Sequence, residues 1–489
     1  MPFLRAIIPF IVGIITYSDV PVTLIWGIFF SCIVIHLFTG WLDLRLRFQI
    51  SLLPGFLLLL LVYCSGYFAM YVFDIKNQRN YIGNNPGFPL IGIISGEPRK
   101  AKTGFNVELD IKWIQTGKAL HAASGKILAR RVDLPCQPGD TVLLMLSPIP
   151  VNDETIRSKG YLNYLERRNI THTVSASSNG IAIIGKSHSK NFVSFLRTWL
   201  LKVMDDSFRE PNERALAKAL LVGSRINLDP DLITAYTNTG VIHVVAISGM
   251  HLAIIYAMIS SILKPLQHKK TRLVSIALTI SSLWIFSLIC GASPSVVRSA
   301  VMFSFILIGE AVSLEHKIAN TLAGSAFLLL SLQPTLVWDI GFQLSYSAVA
   351  SLIMYSKGFS GLLMPGNKIL IWAWNTLSTT MAAQILTTPL AIFHFQQFPL
   401  VFLLSNFVAV PISGLILILL FLICLLYPAG LSAPLAKFTS MLMDIMNKRI
   451  LAMDHLSFAT ARHISLSEYD TVNIYIILIA LTLWWRWKK

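Results

Sequence analysis

Ionisable and polar side chains stand inside long apolar stretches in the second half of this sequence. An ionisable group placed within a membrane span costs roughly 2.5–3.5 kcal/mol on insertion scales, so it usually faces a partner or a polar path. Arg298, near the start of one apolar run, is the clearest example. Such residues, with nearby helix breakers, are candidates to line a route across the membrane. In chain order they are His243, Ser248, Gly249, His251, Pro294, Ser295, Arg298, Asp339, Gln343, Ser345, Gln384, Pro389, Asn406 and Pro411.

The spacing of these residues favours an anion-binding route. Ser248-Gly249 and Pro294 are helix-breaking positions, and broken helices at membrane depth persist where protein or water satisfies the freed backbone. Pro294 suits the first position of a helix, which would put Arg298 on the first turn, beside the positive end of the helix dipole. That is a favourable place for an anion such as phosphate.

Purely structural roles are the alternative for the same residues. Arg298 and Asp339 could form a structural ion pair. On a helix Asp339 would share a face with Gln343, so the two could position neighbouring helices. Buried hydrogen bonding, within or between helices, is the alternative for His243, His251, Gln384 and Asn406.

The elements around these residues are those of a membrane protein. Of the 489 residues, 54% are hydrophobic and 13% are charged, whereas a soluble protein carries roughly 25% charged residues. This composition excludes an ordinary soluble enzyme and a disordered chain. Three apolar runs lie before residue 75 and eight candidate spans after residue 231, several of them short or broken by Gly and Pro. The chain is therefore expected to cross the membrane many times.

Residues 76–190 have a different texture, in which turn clusters separate short β-branched or alternating runs. Five or six short strands predict a small barrel or sandwich, with examples at 90–94, 105–114, 141–146, 171–176 and 181–184. A short helix is expected at 159–168, and a helix that interrupts a five-stranded barrel fits an OB-fold. The basic link at 41–48 is cytoplasmic under the positive-inside rule, so three crossings would place this domain outside the cytoplasm.

The expected fold class is thus a polytopic α-helical membrane protein with an inserted all-β, OB-fold-like extracytoplasmic domain. About three N-terminal transmembrane helices would occupy residues 1–75, and the OB-like domain residues 76–190. Amphipathic helices are expected over 191–231, and a transmembrane channel domain over 232–489.

Charge is concentrated in the predicted β domain. The chain has 40 Lys+Arg and 24 Asp+Glu, and residues 76–190 hold 16 and 8 of them, which is half of the excess of +16. Basic side chains there could track phosphates while aromatic ones stack on bases, although a solvated surface or a contact with anionic lipid is the alternative. The candidates are Arg99, Lys100, Lys102, Trp113, Lys126, Arg130, Arg131, Tyr161, Tyr164, Arg167 and Arg168.

Metal, nucleotide and catalytic sites are not expected. The five cysteines show neither staple nor zinc spacing, so no metal or other cofactor is predicted. The segment from Gly180 to Ser187 matches the phosphate-loop pattern, but its Ile-Ala-Ile-Ile interior favours a strand. Ser248 with His243 or His251 could serve a membrane-embedded hydrolase, yet no carboxylate is evidently placed to orient the histidine.

Five motifs in the second half carry a family resemblance, over about residues 214–427. They are HVVAISGMHLAII, GASPSVVRSAVMF, WDIGFQLSYSAVASL, TTPL and SNFVAVPISG. Their order and spacing resemble the competence domain of the ComEC family, bacterial proteins thought to form the inner-membrane channel for single-stranded DNA in natural transformation. The three spans and OB-like domain also resemble the N-terminal part of that family. Many members continue into a metallo-β-lactamase-like domain; this sequence has no His-x-His-x-Asp-His, so a short form without nuclease function is expected.

The resemblance implies a channel rather than an enzyme, in the bacterial inner membrane, with single-stranded DNA as its cargo. An extracytoplasmic DNA-receptor protein and membrane lipid are among the implied partners. Because an inside-negative membrane opposes anion entry by about 2.3 kcal/mol per charge per 100 mV, a cytoplasmic ATP-driven DNA translocase or single-strand-binding protein is also expected. The alternatives are a secondary transporter of a small anionic solute and a membrane-embedded hydrolase.

Overall fold

The computed structural model describes most of the chain, in two compact units. The described residues are 2–41, 52–83, 89–96, 98–100, 104–116, 119–132, 137–152, 156, 158–175, 180–186, 192–225, 227–266, 271–312, 317–363 and 365–487. Most of the basic link at 41–48 lies outside them, as does Lys102. One unit comprises Arg5–Lys190 and Phe327–Trp338, and the other Met1–Leu4, Asn191–Ala326 and Asp339–Lys489.

Three apolar helices open the chain: α1 (Pro2–Ile15), α2 (Val22–Trp41) and α3 (Leu52–Phe73). Helices α1 and α3 cross at two glycines, because a Cβ added at Gly13 would overlap the carbonyl oxygen of Tyr63 and one added at Gly66 would overlap that of Phe10. Only residues without side chains let two helix backbones approach this closely in a membrane. The crossing therefore fixes how α1 packs on α3.

An eight-stranded mixed sheet follows α3, in the order β6-β7-β4-β3-β1-β5-β8 with β2 paired to β3. Strand β4 pairs in parallel with β7, and the other pairings are antiparallel. A short helix, α4 (Lys159–Arg167), lies between β6 and β7 in the chain. The strands are β1 (Leu90–Ile94), β2 (Arg99–Lys100), β3 (Phe105–Thr116), β4 (Ala119–Val132), β5 (Thr141–Leu144), β6 (Ile149–Pro150), β7 (His172–Ser175) and β8 (Ile181–Gly185).

The core of this domain comes from alternate residues of its strands. Val107, Leu109 and Ile111 on β3 are buried, while the intervening Glu108 and Asp110 are only partly so, as expected for a strand with one face against a core. The prediction of an inserted β domain with a short helix among its strands is confirmed. The long strand β4 was not among the strands predicted from the sequence.

The second half of the chain is almost wholly helical. One short antiparallel pair, β9 (Gln397–Pro399) with β10 (Thr460–Arg462), joins two of its loops. Residues 318–326 of α12 belong to this unit. The helices are α5 (Phe192–Ser207), α6 (Pro211–Val222), α7 (Pro230–Asn238), α8 (Ile242–Val245), α9 (Gly249–Ile262), α10 (Arg272–Ile289), α11 (Pro294–Ala311), α12 (Ile318–Leu332), α13 (Ile340–Ser360), α14 (Lys368–Phe395), α15 (Phe402–Leu426), α16 (Ala433–Asp454) and α17 (Glu468–Trp487).

Five helical segments of the described residues are long and apolar enough to cross a bilayer. They are Val22–Thr39, Leu52–Phe73, Arg272–Ile289, Pro294–Ala311 and Phe402–Ala429. The chain is a membrane protein, and the predicted polytopic helical fold is confirmed.

The largest apolar core of the helical unit joins α5, α6 and α7 to α15 and α16. Helix α6 is buried along most of its length, including Ala217, Leu220 and Leu221, none of which is exposed. Helices α5, α6 and α7, in the region expected to hold amphipathic helices at the interface or against the bundle, therefore pack against the bundle.

Candidate functional site

The helix predicted to break at Ser248-Gly249 is broken there. Helix α8 ends at Val245, α9 begins at Gly249, and Ser248 is the N-cap of α9. The backbone N–H of Ser248 donates to Nδ1 of His251 over 3.3 Å, and Oγ of Ser248 lies 3.1 Å from the same nitrogen. Since Nδ1 accepts, the neutral ring carries its proton on Nε2. That Nε2 is buried and has no hydrogen-bond partner among the described residues.

Arg298 is the fifth residue of α11, which begins at Pro294 as predicted. It therefore lies just beyond the first turn, whereas the sequence predicted it on that turn. Arg298 is 5% exposed. Its Nη1 donates to the carbonyl oxygen of Ser345 over 3.3 Å, and its Nη2 to Oγ of Ser299 over 3.2 Å. The guanidinium carbon stands 5.5 Å from the ring centre of Tyr346. Its Nε is buried and makes no hydrogen bond within the described part of the chain.

The structural ion pair between Arg298 and Asp339, which was one alternative for these residues, does not form. The Asp339 carboxylate caps α13 by accepting from the backbone N–H of Phe342 over 2.8 Å, because an aspartate at an N-cap satisfies a helix amide that otherwise lacks a partner. Among the described residues, no carboxylate lies within 4.0 Å of the Arg298 guanidinium. A buried cation without a carboxylate is costly, so the surrounding dipoles and the Tyr346 ring are what stabilise it.

The Arg298 guanidinium also packs against the N-terminus of α9. A Cβ added at Gly249 would lie 2.9 Å from Nη2 of Arg298 and 2.6 Å from Oγ of Ser299. The N-terminus of a helix carries the positive end of its dipole, so a cation and a positive dipole end meet at this point. An anion placed between them would be stabilised by both.

Two residues of this site, Ser299 and Tyr346, were not found by sequence reasoning. The hydroxyl of Ser299 donates to the carbonyl oxygen of Ser295 over 3.0 Å and accepts from Arg298. The Tyr346 hydroxyl lies 2.9 Å from Oγ of Ser325 on α12. The sequence signal that could have identified them is their position directly after Arg298 and Ser345. The clustered residues are called the arginine site below: Ser248, Gly249, His251, Ser295, Arg298, Ser299, Ser345 and Tyr346.

Gln343 lies one turn before this cluster and joins two helices. Its Oε1 is 3.2 Å from Nε2 of His394, which links α13 to α14. Asp339, expected to share this positioning role, instead caps its own helix.

The other predicted path residues make no hydrogen bond to Arg298 within the described structure. Gln384 accepts from Thr387 and Thr388, and Asn406 donates to the carbonyl oxygen of Phe402, so each bonds within its own helix and not between helices. Ser405 makes the interhelical bond instead, to the carbonyl oxygen of Thr239 over 2.6 Å. Pro389 and Pro411 lie inside α14 and α15, and His243 on α8 is exposed.

The geometry of Ser248 and His251 is that of a helix cap. In a serine–histidine–aspartate arrangement, a carboxylate orients the histidine through Nδ1 while Nε2 faces the serine. Here Nδ1 faces Ser248 itself. The phosphate-loop match also has another structure, because residues Ile181–Gly185 form β8 and pair with β5.

A second cluster lies on the β domain, where two arginines and two tyrosines form a row. The guanidinium carbon of Arg130 is 5.5 Å from the ring centre of Tyr161, and that of Arg168 is 5.6 Å from the ring centre of Tyr164. The two tyrosine rings stack with centres 6.0 Å apart and an angle of 18°. They are 37% and 40% exposed, so this stacking row offers π faces and cations to a ligand.

Glu108 partly neutralises Arg168 of the row and the neighbouring Lys126. Arg168 and Lys126 both pair with Glu108, at 2.9 and 3.5 Å. Arg167 instead lies over the ring of Trp338, with its guanidinium carbon 5.5 Å from the ring centre, and burial lowers the pKa of Arg167.

The remaining residues of the β domain that were predicted to contact a nucleic acid are not part of the stacking row. Trp113 is 40% exposed at a bulge where β3 changes register with both neighbours. Arg131 is exposed and has a positive φ of 59°. Arg99 and Lys100 form β2, but their side chains, like all of Lys102, fall outside the described residues.

These observations define a multi-pass membrane protein with an inserted mixed β domain and, in its helical bundle, a buried arginine that has no carboxylate partner among the described residues. Residues 220–488, more than half of the chain, match the Competence protein family. The chain belongs to that family, and the resemblance carried by the five motifs is confirmed.

Two relatives show the extent of the match. Over 254 residues the chain is 30% identical to ComE operon protein 3 of Bacillus subtilis (strain 168), a stretch that covers 51% of this chain and 31% of that protein. Over 258 residues it is 25% identical to Recombination protein 2 of Haemophilus influenzae, covering 50% and 33%. The chain thus spans about a third of the length of these relatives. No solved structure matches it.

Proposed function

We propose that this protein imports single-stranded DNA across the bacterial inner membrane during natural transformation. Membership of the competence family supports a role in DNA uptake. The β domain would lie outside the cytoplasm and receive the strand, and the helical bundle would conduct it. A DNA-receptor protein outside and an ATP-driven translocase or single-strand-binding protein inside would complete the route, since the membrane potential opposes entry of phosphate charges.

The observation that carries this proposal is the arginine site. Arg298 lies in a helix able to span the membrane, is almost fully buried and meets no carboxylate among the described residues. It faces the N-terminus of α9 at Gly249, and Nε2 of His251 in the first turn of the same helix is buried without a hydrogen-bond partner among the described residues. Each of these groups favours a negative charge. A backbone phosphate passing this point would receive hydrogen bonds that the protein leaves open.

The β domain offers the features that the first contact with a strand requires. Stacking of a base on an exposed aromatic ring contributes roughly 1–3 kcal/mol, and nearby cations hold the phosphates. The stacking row has both: Tyr161 and Tyr164 are exposed, and Arg130 and Arg168 flank them. Such contacts tolerate any sequence, as uptake of arbitrary DNA needs.

The test is transformation of a deletion strain complemented with variants at matched membrane abundance. Arg298→Ala is expected to lower transformation frequency at least about 10-fold, since one charged hydrogen-bonding partner is worth roughly 1.5–3 kcal/mol. Arg298→Lys should retain part of the activity. Arg272→Ala is the matched control, because Arg272 is an exposed arginine of α10 that bonds the carbonyl oxygen of Glu310 on α11. Equal transformation by the Arg298→Ala and Arg272→Ala strains would refute the proposed role of the arginine site.

The arginine site would equally suit a secondary transporter of a small anion. The stacking row separates the two functions, because a small anion has no base to stack. If the full chain carries phosphate or sulfate into proteoliposomes but binds no oligonucleotide, the transporter function is the correct one.

A further inference from the structure

A cleft of about 530 Å³ lies in the unit that contains the β domain. Its lining comes from three places: the last turn of α3 and the residues after it, strands β3 and β4 with the end of α4, and residues 331–335. Nothing in the sequence pattern indicated this cleft. Its volume falls in the range of pockets that hold small ligands, about 300–1,000 Å³.

One wall of the cleft is basic. Lys112, Lys126, Arg167 and Arg168 line it, with Asp110 as the acidic residue among them. Glu108 behind the wall pairs with Lys126 and Arg168, so two positive charges remain after both carboxylates are counted. Arg167 has an aromatic neighbour, Trp338, at 5.5 Å. The wall therefore has an excess of positive charge facing the cleft, which favours an anion.

A second wall of the cleft is apolar and exposed. Ala69, Val72 and Phe73 come from the end of α3, and Leu332 from the end of α12. Val72 is 72% exposed and Leu332 is 69% exposed. Since α3 is apolar over 22 residues and long enough to span the bilayer, its last turn lies at the boundary between hydrocarbon and water. These side chains are therefore placed to contact acyl chains.

The two walls are held together by a direct hydrogen bond. Asn169, in the loop between α4 and β7, donates from Nδ2 to the carbonyl oxygen of Phe73 over 2.8 Å. Phe73 is the last residue of α3, so its carbonyl lacks a partner within the helix. The bond joins the basic and apolar walls at the membrane boundary.

We propose that this cleft binds the phosphate headgroup of an anionic phospholipid, whose acyl chains lie over Val72 and Leu332. The lipid would anchor the β domain to the membrane surface. A basic pocket beside the end of a membrane helix has the features that recognise such headgroups. This site does not depend on the proposed transport of DNA.

A DNA strand fits the cleft less well than a lipid does. Exposed apolar side chains at the end of a spanning helix complement acyl chains, which a nucleic acid lacks. The groups that suit nucleobases, the rings of Tyr161 and Tyr164, belong to the stacking row and do not line the cleft. The amphipathic character of the cleft therefore selects a phospholipid.

The experiment is native mass spectrometry of the full chain after removal of co-purified lipid. Phosphatidylglycerol and phosphatidylcholine with the same acyl chains are added separately, and bound lipid is counted. One phosphatidylglycerol per chain is expected to bind about 10-fold more tightly than phosphatidylcholine. The cleft variant Lys112→Gln/Arg167→Gln should abolish this preference, since each basic group near the membrane surface contributes roughly fivefold in affinity.

The control variant Arg130→Gln/Arg131→Gln removes the same charge from the same domain but outside the cleft. It should bind phosphatidylglycerol like the wild type. Lys112→Gln alone should lose a smaller part of the preference for phosphatidylglycerol. Because Lys112 is exposed, this single variant keeps the test valid if the double variant does not fold. The proposal fails if both lipids bind equally, or if cleft and control variants lose phosphatidylglycerol alike. It also fails if the cleft variant loses binding of an oligothymidylate and keeps that of phosphatidylglycerol.

Discussion

The guanidinium of Arg298 lies against Gly249, and no side chain fits between them. These two residues are far apart in the sequence, yet a Cβ at position 249 would stand 2.9 Å from Nη2 of Arg298. The contact brings a cation of α11 to the first residue of α9, where backbone N–H groups face outward. Both elements favour the same kind of ligand, an anion.

Replacing Gly249 with alanine should displace the guanidinium without removing it. The added methyl group would overlap Oγ of Ser299, at 2.6 Å, as well as Arg298. Overpacking of this kind costs roughly 1–3 kcal/mol of stability, which the site can relieve by moving the guanidinium, so transformation should fall, though by no more than in Arg298→Ala. Gly414→Ala is the control, because the nearest atom to its added Cβ is Cδ1 of Ile254 at an ordinary 3.4 Å. The Gly249→Ala/Arg298→Ala double variant should be no worse than Arg298→Ala; additive losses would show that the two residues act separately.

Removing a ring from the stacking row should weaken binding of single-stranded DNA. Tyr164→Ala in the full chain, held in lipid nanodiscs, is expected to lose roughly 5- to 150-fold in affinity for an oligothymidylate, as measured by fluorescence anisotropy. Tyr164→Phe should bind nearly like the wild type, because it keeps the ring and loses only the hydroxyl that accepts from Arg168. If the alanine and phenylalanine variants bind alike, the ring does not stack on a base.

The crossing of α1 and α3 predicts a position-specific effect on stability. Gly66→Ala would place a methyl group on the carbonyl oxygen of Phe10, whereas Gly55→Ala, in the same helix, would meet nothing within 4 Å. Gly66→Ala should therefore cost roughly 1–3 kcal/mol and lower the unfolding temperature of the purified chain in detergent. Gly55→Ala should leave that temperature unchanged or raise it slightly. Equal unfolding temperatures for the two variants would contradict the close crossing.

The β domain shows where sequence patterns succeed and where they fail. Short strands such as β1 and β5 were predicted because β-branched and leucine residues fill them. Strand β4 was missed because Ala119–Val132 contains Ala, Ser, Gly, Lys and Arg in place of the usual strand formers. Pairing with β3, the strand just before it, and with β7, which is distant in the chain, holds it in the sheet.

The arginine site was predictable only in part. Helix breaks at Ser248 and Pro294 follow from local chemistry, so the sequence was sufficient to predict them. The contact between Gly249 and Arg298 depends on how α9 packs against α11, which no local pattern records. Asp339 was misassigned for the same reason, since a carboxylate at a helix start can cap its own helix or reach across to another.

The close crossing of α1 and α3 at Gly13 and Gly66 also bears on the leakage of protons across the membrane. A file of water molecules is what lets protons leak along a membrane protein, and each water needs about 30 Å³. At this crossing the backbones of α1 and α3 are in contact, so no water fits between them. Protons therefore cannot pass along a file of water between α1 and α3 at this point, and the contact does not dissipate the voltage across the bilayer.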